Sequence, residues 1–582
     1  MPAKRWPNLA TMFFDQAAVG GDAPFLWSKH DGEYRTQSWR QVADEVNALS
    51  RGLRAAGVKP GDRVALVSEN RPNWAVADLA ILSAGAITVP GYTTNTVDDH
   101  KHIFGDSGAS ALIISGPAMA ERALPAAHDT PGLDLVVTMD PVDSADALGM
   151  TITNWDDVVA SGATMDDDVE QIVGAIAKGD LACLIYTSGT GGRPKGVMLS
   201  HAAIAANLWG AYGLLQELGL DDEIFLSFLP LSHSYEHTAG LFFPISLGAQ
   251  IYYAERVETL TTNLLEARPT FMTCVPRLYE TMRARILGGI QRSGGLKRKL
   301  FESAVDLGSK RYHAPHSLGL GERLLDGLVE RLVREKVRGR FGGRLKALIS
   351  GGAPLNEDIG LFFLALGLPI LQGYGQTESA PVISVNRPEI NDVSTVGPPL
   401  DGVEVRIAGD GEILVRGELV MDGYWNAPEA TAAALIDGWL HTGDIGEIDD
   451  RGRIRITDRK KDIIVNSGGD NLSPQRVEGV LMLEPEIAQA MVYGDRRPHL
   501  VALIVPDDET VKVHDGDTEG LTKAVGEAIK RASAGLSPIE TVKRFALAAE
   551  PFTIDNGEMT PTMKTRRHAI IGRYGDVLDG LY

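Results

Sequence analysis

A loop rich in glycine and hydroxyl side chains follows a compact apolar run in the segment Leu181-Ala-Cys-Leu-Ile-Tyr-Thr-Ser-Gly-Thr-Gly-Gly-Arg-Pro-Lys-Gly196. The apolar run is typical of a buried β-strand. Glycines allow the backbone to approach an anion closely, and the hydroxyls of Thr187, Ser188 and Thr190 add hydrogen-bond donors. Lys195 adds a positive charge at the end of the loop. The segment predicts a phosphate-binding loop, with a flexible surface turn as the alternative.

Two common phosphate-binding motifs do not fit this loop. A Walker A motif requires Gly-Lys-Ser/Thr, whereas Lys195 precedes Gly196 here. A dinucleotide fingerprint beginning at Gly189 requires a third glycine where Pro194 stands. The loop chemistry alone therefore leaves the class of nucleotide site open.

Short β-branched runs alternate with longer amphipathic segments on both sides of the loop. Residues 63–68 predict a strand, and residues 70–82 carry apolar side chains at helical spacing. Ser200 is a good N-cap for a further helix. Residues 345–349 and 368–371 predict two more strands that run into glycine-containing loops. This alternation favours an α/β fold.

The pattern changes near residue 400. Residues 403–407, 412–416 and 453–457 alternate apolar and polar side chains at period two, which predicts half-buried antiparallel strands. We therefore expect a small β subdomain over about 400–457. The charged stretch Asp458-Arg-Lys-Lys-Asp462 follows, and it is typical of a junction between domains.

Beyond the junction, residues 490–505 predict a hairpin and the region around 520–533 predicts a helix. We expect an α/β protein with a large N-terminal domain and a mobile C-terminal α+β lid domain. The expected boundaries are 1–458 for the N-terminal domain, 459–462 for the hinge and 463–582 for the lid.

Composition excludes several classes of protein. The 582 residues are 44% hydrophobic and 23% charged, the balance of a globular chain, and the net charge is −21. Such an acidic chain is a poor general nucleic-acid binder. Cys183 and Cys274 are too few for a disulfide framework. The sequence shows neither a secretory signal nor an apolar run long enough to span a membrane, so we expect a cytoplasmic protein.

Positive charge is concentrated in one region of this acidic chain. Residues 281–346 hold sixteen lysines and arginines against six aspartates and glutamates. Solvated helical faces would explain this excess. An anion-facing surface for the phosphates of coenzyme A, or for anionic lipid headgroups in peripheral contact with a membrane, is the alternative.

The loop resembles the phosphate-binding signature of the adenylate-forming superfamily, which includes the acyl-CoA synthetases. This resemblance implies that ATP binds at Thr187, Ser188, Gly189, Thr190, Gly191, Gly192 and Lys195. Gly191 stands where relatives usually carry a second threonine, so the loop lacks one hydroxyl.

Two further motifs support the resemblance. Ser350-Gly-Gly-Ala-Pro-Leu355 is similar to the adenine-pocket segment, which implies nucleotide contacts from Gly352, Ala353 and Pro354. The segment Gln372-Gly-Tyr-Gly-Gln-Thr-Glu378 is similar to the next core motif. It implies an aromatic ring against adenine, a threonine on the α-phosphate and Mg²⁺ at Glu378 with Thr187. The implied nucleotide-binding residues of this motif are Gln372, Gly373, Tyr374, Gly375, Gln376 and Thr377.

The region from Asp437 to Lys461 resembles the signature of fatty acyl-CoA synthetases within the superfamily. The resemblance implies that Asp444 holds both ribose hydroxyls, that Arg459 reaches the ribose and that Lys461 is the pivot of the hinge. The segment Asn556-Gly-Glu-Met-Thr-Pro-Thr-Met-Lys-Thr-Arg-Arg567 is similar to the C-terminal segment that delivers the catalytic lysine, here Lys564.

The segment His233-Ser-Tyr-Glu-His237 also matches His-x-x-Glu-His, a zinc motif of one metalloprotease class. Zinc binding requires a helix that presents both histidines and a further ligand. A similar Leu-Pro-Leu-x-His element lines the acyl and phosphate site of acyl-CoA synthetases, which implies that His233 is a substrate-site residue.

The resemblance implies a long-chain fatty acid–CoA ligase that uses ATP, Mg²⁺ and coenzyme A. Three alternatives stay open: an adenylate-forming ligase for another carboxylic acid or a carrier-protein thiol, a catalytically silent nucleotide- or acyl-binding protein, and a metal hydrolase at His233 and His237.

Overall fold

The computed structural model describes residues 5–142, 150–166, 169–187, 193–468, 470–560 and 564–582. Most of the N-terminal domain is built on two large sheets, each with eight strands among the described residues. In the first sheet the strands lie in the order Val382–Val385, Ile370–Gly375, Ala347–Ser350, Phe271–Cys274, Ile224–Ser227, Gln250–Tyr253, Pro24–His30 and Glu33–Ser38. Its inner pairs are parallel, and the outermost pair at each edge is antiparallel.

The second sheet carries the strand that precedes the glycine-rich loop. Its order is Gly423–Tyr424, Lys195–Ser200, Leu181–Thr187, Ile87–Gly91, Arg63–Val67, Ala111–Ile114, Leu135–Thr138 and Thr151–Asn154. Leu181–Thr187 pairs in parallel with Ile87–Gly91 and antiparallel with Lys195–Ser200. The glycine-rich loop therefore joins two adjacent strands of this sheet.

The helix Pro72–Ser83 lies between the two sheets. Proline at its first position fits the helix start, where the missing N–H has no partner to lose. All of its residues except Asn73 are buried, and it contacts strands of both sheets. A helix that is apolar on nearly every side is stable only inside a core, and its one charged residue, Asp78, is buried as well. Trp74 and Leu79 join this core with Leu66 and Ile251.

Helices cover the outer faces of the sheets. The helix predicted after Ser200 is His201–Leu218, and the Ser200 side chain accepts a hydrogen bond from the Ala203 N–H. The other helices of the N-terminal domain include Leu9–Gly20, Trp39–Ala55, Val97–Ser107, Pro117–His128, Trp155–Ala163, Val169–Ala175, Leu260–Ala267, Pro276–Ser293, Gly295–His313, Leu320–Val329, Glu335–Arg340, Glu357–Ala365 and Pro428–Ala434. The short helices Ser234–Glu236 and Phe243–Leu247 flank a π-helix, His237–Phe242.

The predicted β subdomain is a separate sheet of five described strands: Glu404–Ile407, Glu412–Arg416, Leu435–Ile436, Trp439–Ile448 and Ile454–Arg459. Its pairs are antiparallel, as the alternating pattern predicts. The last strand extends through Arg459, which pairs with Asp444 in the register of the sheet. Sheet register therefore brings these two residues together across fifteen positions of sequence.

The C-terminal domain has its own sheet and core. Ile487–Tyr493 and Leu500–Pro506 form the predicted hairpin, and Val542–Leu547 adds a parallel third strand. The helices here are Pro474–Leu481, Asp508–Val513, Thr518–Ser533 and Arg567–Asp579, and Ile464–Val465 pairs with Asn471–Leu472. The α/β fold with a large N-terminal and a small C-terminal domain is confirmed, while the hinge at 459–462 stays a prediction. Among the described residues, no helix combines the length and apolarity that crossing a bilayer requires.

Candidate active site

Three loops that follow strand ends meet in one cleft. Thr187 ends the strand before the glycine-rich loop, and Ser350 and Gly375 end neighbouring parallel strands of the other sheet. Ligands of α/β proteins commonly bind beyond the carboxyl ends of such strands. The Tyr424 hydroxyl donates to Glu378 Oε1 at 2.8 Å. This bond connects the edge strand of the second sheet to the loop that follows the strand Ile370–Gly375 of the first sheet.

A buried carboxylate stands at the centre of the cleft. The Tyr374 hydroxyl donates to Asp444 Oδ2 at 2.7 Å, and Arg459 Nε lies 3.0 Å from Asp444 Oδ1. Asp444 is buried, whereas the Arg459 side chain is 40% exposed. Each carboxylate oxygen therefore has a partner that fixes its position, and each keeps a further lone pair for a ligand hydroxyl.

The chemistry of Glu378 suits a hard cation. One oxygen accepts from Tyr424, and this bond orients the half-buried carboxylate. Lys195 Nζ lies 4.8 Å from the centre of the same Tyr424 ring. Thr187, the other predicted metal ligand, is half-buried at the end of its strand. A carboxylate and a hydroxyl are the oxygen donors that Mg²⁺ accepts, so these residues fit the ion.

The segment that carries His233 contacts the loop that follows the strand Ile370–Gly375. The hydroxyls of Ser234 and Thr377 share a hydrogen bond of 2.9 Å. The Tyr235 N–H donates to His233 Nδ1 at 3.1 Å. Burial and the nearby positive charge of Lys564 lower the pKa of His233 to about 3, so the ring is neutral. Because Nδ1 accepts a hydrogen bond, this network assigns the ring proton to Nε2, which can donate to an anionic oxygen.

His237 has a different environment from His233. Its Nε2 lies 2.9 Å from Asp78 Oδ2, both side chains are almost fully buried, and Trp74 contacts the ring edge-on. The zinc interpretation required the two histidines together with a third ligand, and His237 is instead engaged with a carboxylate of the buried helix. Among the described residues no cluster of three potential ligands is present.

Lys564 comes from the C-terminal domain. Its N–H donates to Thr560 Oγ1 at 3.0 Å, and its carbonyl accepts from the Thr560 N–H at 2.8 Å. The residue keeps more than a third of its surface exposed in the open cleft. Even so, desolvation and then the positive charge of Arg459 lower the pKa of its ammonium to about 8, against opposing effects of Asp444 and Glu378. Charges of the N-terminal domain therefore act on Lys564, although this lysine belongs to the C-terminal domain.

The adenine-pocket and core-motif residues line the cleft or support it. Gly352 has a φ of +80°, and Ala353 and Pro354 are exposed at the rim. Of the remaining predicted contacts, Gly373 lies within the strand Ile370–Gly375, Gly375 ends it and Gln376 follows it. A Cβ on Gly375 would collide with the Pro381 carbonyl. Gln372 is buried and donates to the Val393 carbonyl, which is a supporting contact within the fold.

Most predicted contacts of the phosphate-binding loop lie outside the described residues: Ser188, Gly189, Thr190, Gly191 and Gly192. Lys461 is an exposed residue in the turn after Arg459, whereas its neighbour Lys460 pairs with Asp410 at 2.7 Å. The structure therefore joins Tyr374, Asp444 and Arg459 by direct contacts. The charges of Glu378 and Lys564 act on the same group, and Lys461 is exposed in the turn that follows Arg459.

Sequence reasoning missed Tyr424 and Ser234, which position Glu378 and Thr377. Tyr424 lies 46 positions from Glu378, and Ser234 lies 143 positions from Thr377. Neither distance leaves a local pattern in the sequence. The only available signal was the position of Ser234 next to His233.

Comparison with known proteins places this chain in a family. The AMP-binding enzyme family matches residues 13–425, and its C-terminal domain matches residues 461–582. The long-chain-fatty-acid–CoA ligase FadD15 of Mycobacterium tuberculosis is 32% identical, over 99% of this chain and 97% of the relative. Long-chain-fatty-acid–CoA ligase 1 of Homo sapiens is 31% identical, over 97% and 85%.

Solved structures agree on the fold. The adenylation domain of a carboxylate reductase from Mycobacterium chelonae matches with a TM-score of 0.80 and 23% identity, over 99% of this chain and 91% of that one. The anthranilate CoA ligase AuaEII in complex with anthranoyl-AMP matches with a TM-score of 0.74 and 20% identity, over 98% of both chains. By sequence and by fold, this chain belongs to the AMP-binding enzymes of the adenylate-forming superfamily.

Proposed function

We propose that this chain is an acid–thiol ligase that converts a long-chain fatty acid, ATP and coenzyme A into acyl-CoA, AMP and pyrophosphate. The proposal rests on the contacts of Asp444 with Tyr374 and Arg459, and on Lys564 of the C-terminal domain, on which the charges of Arg459, Asp444 and Glu378 act. The names of the relatives, long-chain-fatty-acid–CoA ligases over nearly the full chain, support the acid and the acceptor.

The first half-reaction joins the fatty carboxylate to AMP. A carboxylate oxygen attacks the α-phosphorus, an O–P bond forms, and the bond to pyrophosphate breaks. Both reactants are anionic, so the barrier is charge repulsion and positioning rather than proton transfer. Lys564 bridges the carboxylate and α-phosphate oxygens, and the neutral His233 ring donates to an anionic oxygen through Nε2. Asp444 accepts the ribose hydroxyls, and Tyr374 and Arg459 hold it in place.

Glu378 and Thr187 would hold Mg²⁺, and the ion would neutralise phosphate charge. Tyr424 orients the Glu378 carboxylate toward that task. The loop 187–196 would cradle the phosphates through backbone N–H groups, hydroxyls and Lys195. This assignment needs no general base, in agreement with the neutral state of His233.

The second half-reaction transfers the acyl group. The thiolate of coenzyme A attacks the acyl carbonyl, a C–S bond forms, and the C–O bond to AMP breaks. Lys564 is not needed in this step, and the C-terminal domain rotates about the hinge at 459–462 to withdraw it. Lys461, exposed and next to the last strand of the β subdomain, is the proposed pivot.

Pyrophosphate release from Mg-ATP across carboxylic acids from acetate to oleate, with and without coenzyme A, tests the proposal. We expect release that requires a fatty acid and continues over many turnovers only with coenzyme A. Release that stalls after one turnover with coenzyme A present would move the acceptor to another thiol, for example on a carrier protein. Release with aryl acids only would show that the acid substrate is an aryl acid rather than a fatty acid. No release with any acid would support the silent binding protein and make Gly191→Thr the next variant.

A further inference from the structure

The helix Leu320–Val329 presents its apolar side to solvent. Leu320 is 83% exposed, Leu324 is 79% exposed and Leu328 is 48% exposed. These three leucines are four residues apart and therefore share one face of the helix. Leu325 and Leu332 are also exposed beside this row. We call these five leucines the leucine face.

The charged side of the same helix faces the protein. Glu322 pairs with Lys310 at 2.6 Å, and Asp326 pairs with Arg334 at 2.7 Å. Arg334 is completely buried and also donates to two carbonyls, those of Ala304 and Ala365. This arrangement is the reverse of an ordinary surface helix, whose apolar side packs on the core. The ion pairs anchor the helix, and the leucine face is left without cover from the described residues.

The charges around the leucine face are basic. Arg323, Arg331 and Lys336 are exposed on the helix and its continuation, and none of them pairs with an acidic side chain among the described residues. Glu322, Asp326 and Glu330 are engaged by ion pairs, and Glu335, next to Lys336, is the one further acidic residue on this stretch and is exposed. This surface is therefore apolar with a positive rim, although the chain has a net charge of −21.

We infer that the leucine face is a membrane-docking surface, which inserts into the headgroup region of a bilayer that contains anionic lipid. An interfacial helix combines an apolar face with lysine and arginine at headgroup level. Around the leucine face the exposed Arg323, Arg331 and Lys336 outnumber the single exposed acidic residue, Glu335. A second copy of this chain is a poorer occupant, because a symmetric contact would bring Arg323 and Arg331 of each copy toward the same residues of the other. Charge alone indicated a candidate anion-facing surface over residues 281–346, and the inference narrows the membrane contact to the leucine face. It does not depend on the proposed reaction.

Flotation of the full chain with vesicles tests the inference. We use phosphatidylcholine vesicles with and without about one-third phosphatidylglycerol, at low and at high salt. We expect flotation with the anionic vesicles that weakens as salt rises. Leu324→Ser with Leu328→Ser should weaken partitioning about tenfold or more. Arg323→Glu with Arg331→Glu should weaken it by about fivefold or more for each charge reversed.

Matched controls come from exposed residues elsewhere in the chain. Val19→Ser with Val513→Ser removes two exposed apolar side chains, and Arg451→Glu with Lys523→Glu reverses two exposed charges. Both controls should float like the unchanged chain. Pyrophosphate release with a short, water-soluble acid should be the same in these variants as in the unchanged chain. This readout separates membrane docking from the proposed function.

Three results would overturn the inference. The chain could fail to float with anionic vesicles at low salt. The leucine variants could float like the controls. Finally, light scattering could show a dimer that the leucine variants dissociate while vesicles do not bind, which would make the face a contact between copies.

Discussion

On the N-terminal side of the cleft, Asp444 is held by Tyr374 at 2.7 Å and by Arg459 at 3.0 Å. On the C-terminal side, by contrast, Lys564 is held by Thr560 of its own segment. The first group is fixed by sheet register and by burial. The second reaches the cleft only through the placement of its domain. Under the proposed function, this difference means that nucleotide binding is built into the N-terminal domain, while the C-terminal domain delivers and withdraws the charge that promotes adenylation.

The domain contacts agree with this division. Arg277 donates to the Ala488 carbonyl at 3.2 Å, and Asn356 donates to the Gly479 carbonyl at 3.3 Å. Leu483 packs against the core of the N-terminal domain. These are half-buried contacts of the kind that domain motion can break, since interfaces within a chain resemble transient ones. Inside the C-terminal domain, by contrast, Arg567 pairs with the buried Glu478 at 2.8 Å.

The largest effect is expected from Lys564→Ala. Removal of a preorganised charge should lower the rate of adenylation by about 10²–10³-fold. Pyrophosphate release with a saturating fatty acid measures this loss. Lys523→Ala removes an exposed lysine from the same domain and should leave the rate unchanged. A loss below about threefold would mean that another group supplies the charge.

Asp444→Asn tests the fixed side of the cleft. The change leaves Arg459 without its partner and removes a charged acceptor for the ribose, so we expect the KM for ATP to rise about 10- to 100-fold. Asp410→Asn breaks an exposed pair with Lys460 and is the matched control. Unchanged ATP dependence in Asp444→Asn, with an unchanged melting temperature, would contradict the assignment.

The pKa of Lys564 predicts a pH dependence. Its ammonium is charged below the lowered pKa of about 8 and neutral above it. Adenylation should therefore fall as pH rises through about 8, approaching tenfold for each further unit. Lys564→Arg keeps its charge and should shift this fall to higher pH, even where its rate is lower. The same alkaline fall in Lys564→Arg would assign the titration to another group.

Tyr424→Phe should have the smallest effect. It removes the hydrogen bond that orients Glu378, at a cost of about 1 kcal/mol, so the Mg²⁺ concentration for half-maximal activity should rise about fivefold. Tyr34→Phe removes a comparable bond to the Tyr253 carbonyl far from the cleft and should leave the Mg²⁺ dependence unchanged. Equal behaviour of the two variants would separate Tyr424 from metal binding.

Much of the fold follows from local pattern. The strand predicted at 63–68 is Arg63–Val67, and the helix predicted at 70–82 is Pro72–Ser83. The antiparallel pairing near residue 400 is confirmed because alternation at period two specifies one buried face. Spacing along the chain does not encode which strands become neighbours, so the two sheets and the helix between them could not be predicted.

The candidate site divides in the same way. Motifs named Tyr374, Asp444, Arg459 and Lys564, and the structure joins the first three by direct contacts. The bond between Tyr424 and Glu378 depends on tertiary packing and left no local signal. The roles assigned to the residues that the motifs named, and to Ser188–Gly192, stay predictions. The outward leucine face was also hidden from the sequence, since a helical pattern does not reveal which side meets the core.

The two half-reactions, measured separately in Lys564→Ala and Asp444→Asn, test the central claim most directly. Adenylation is followed by pyrophosphate release, and thioester formation is followed from supplied acyl-AMP and coenzyme A. The account predicts that Lys564→Ala loses adenylation and retains thioester formation, whereas Asp444→Asn impairs both because both halves bind the nucleotide. Equal loss of both half-reactions in Lys564→Ala, in a folded protein, would contradict the division between a fixed and a delivered side.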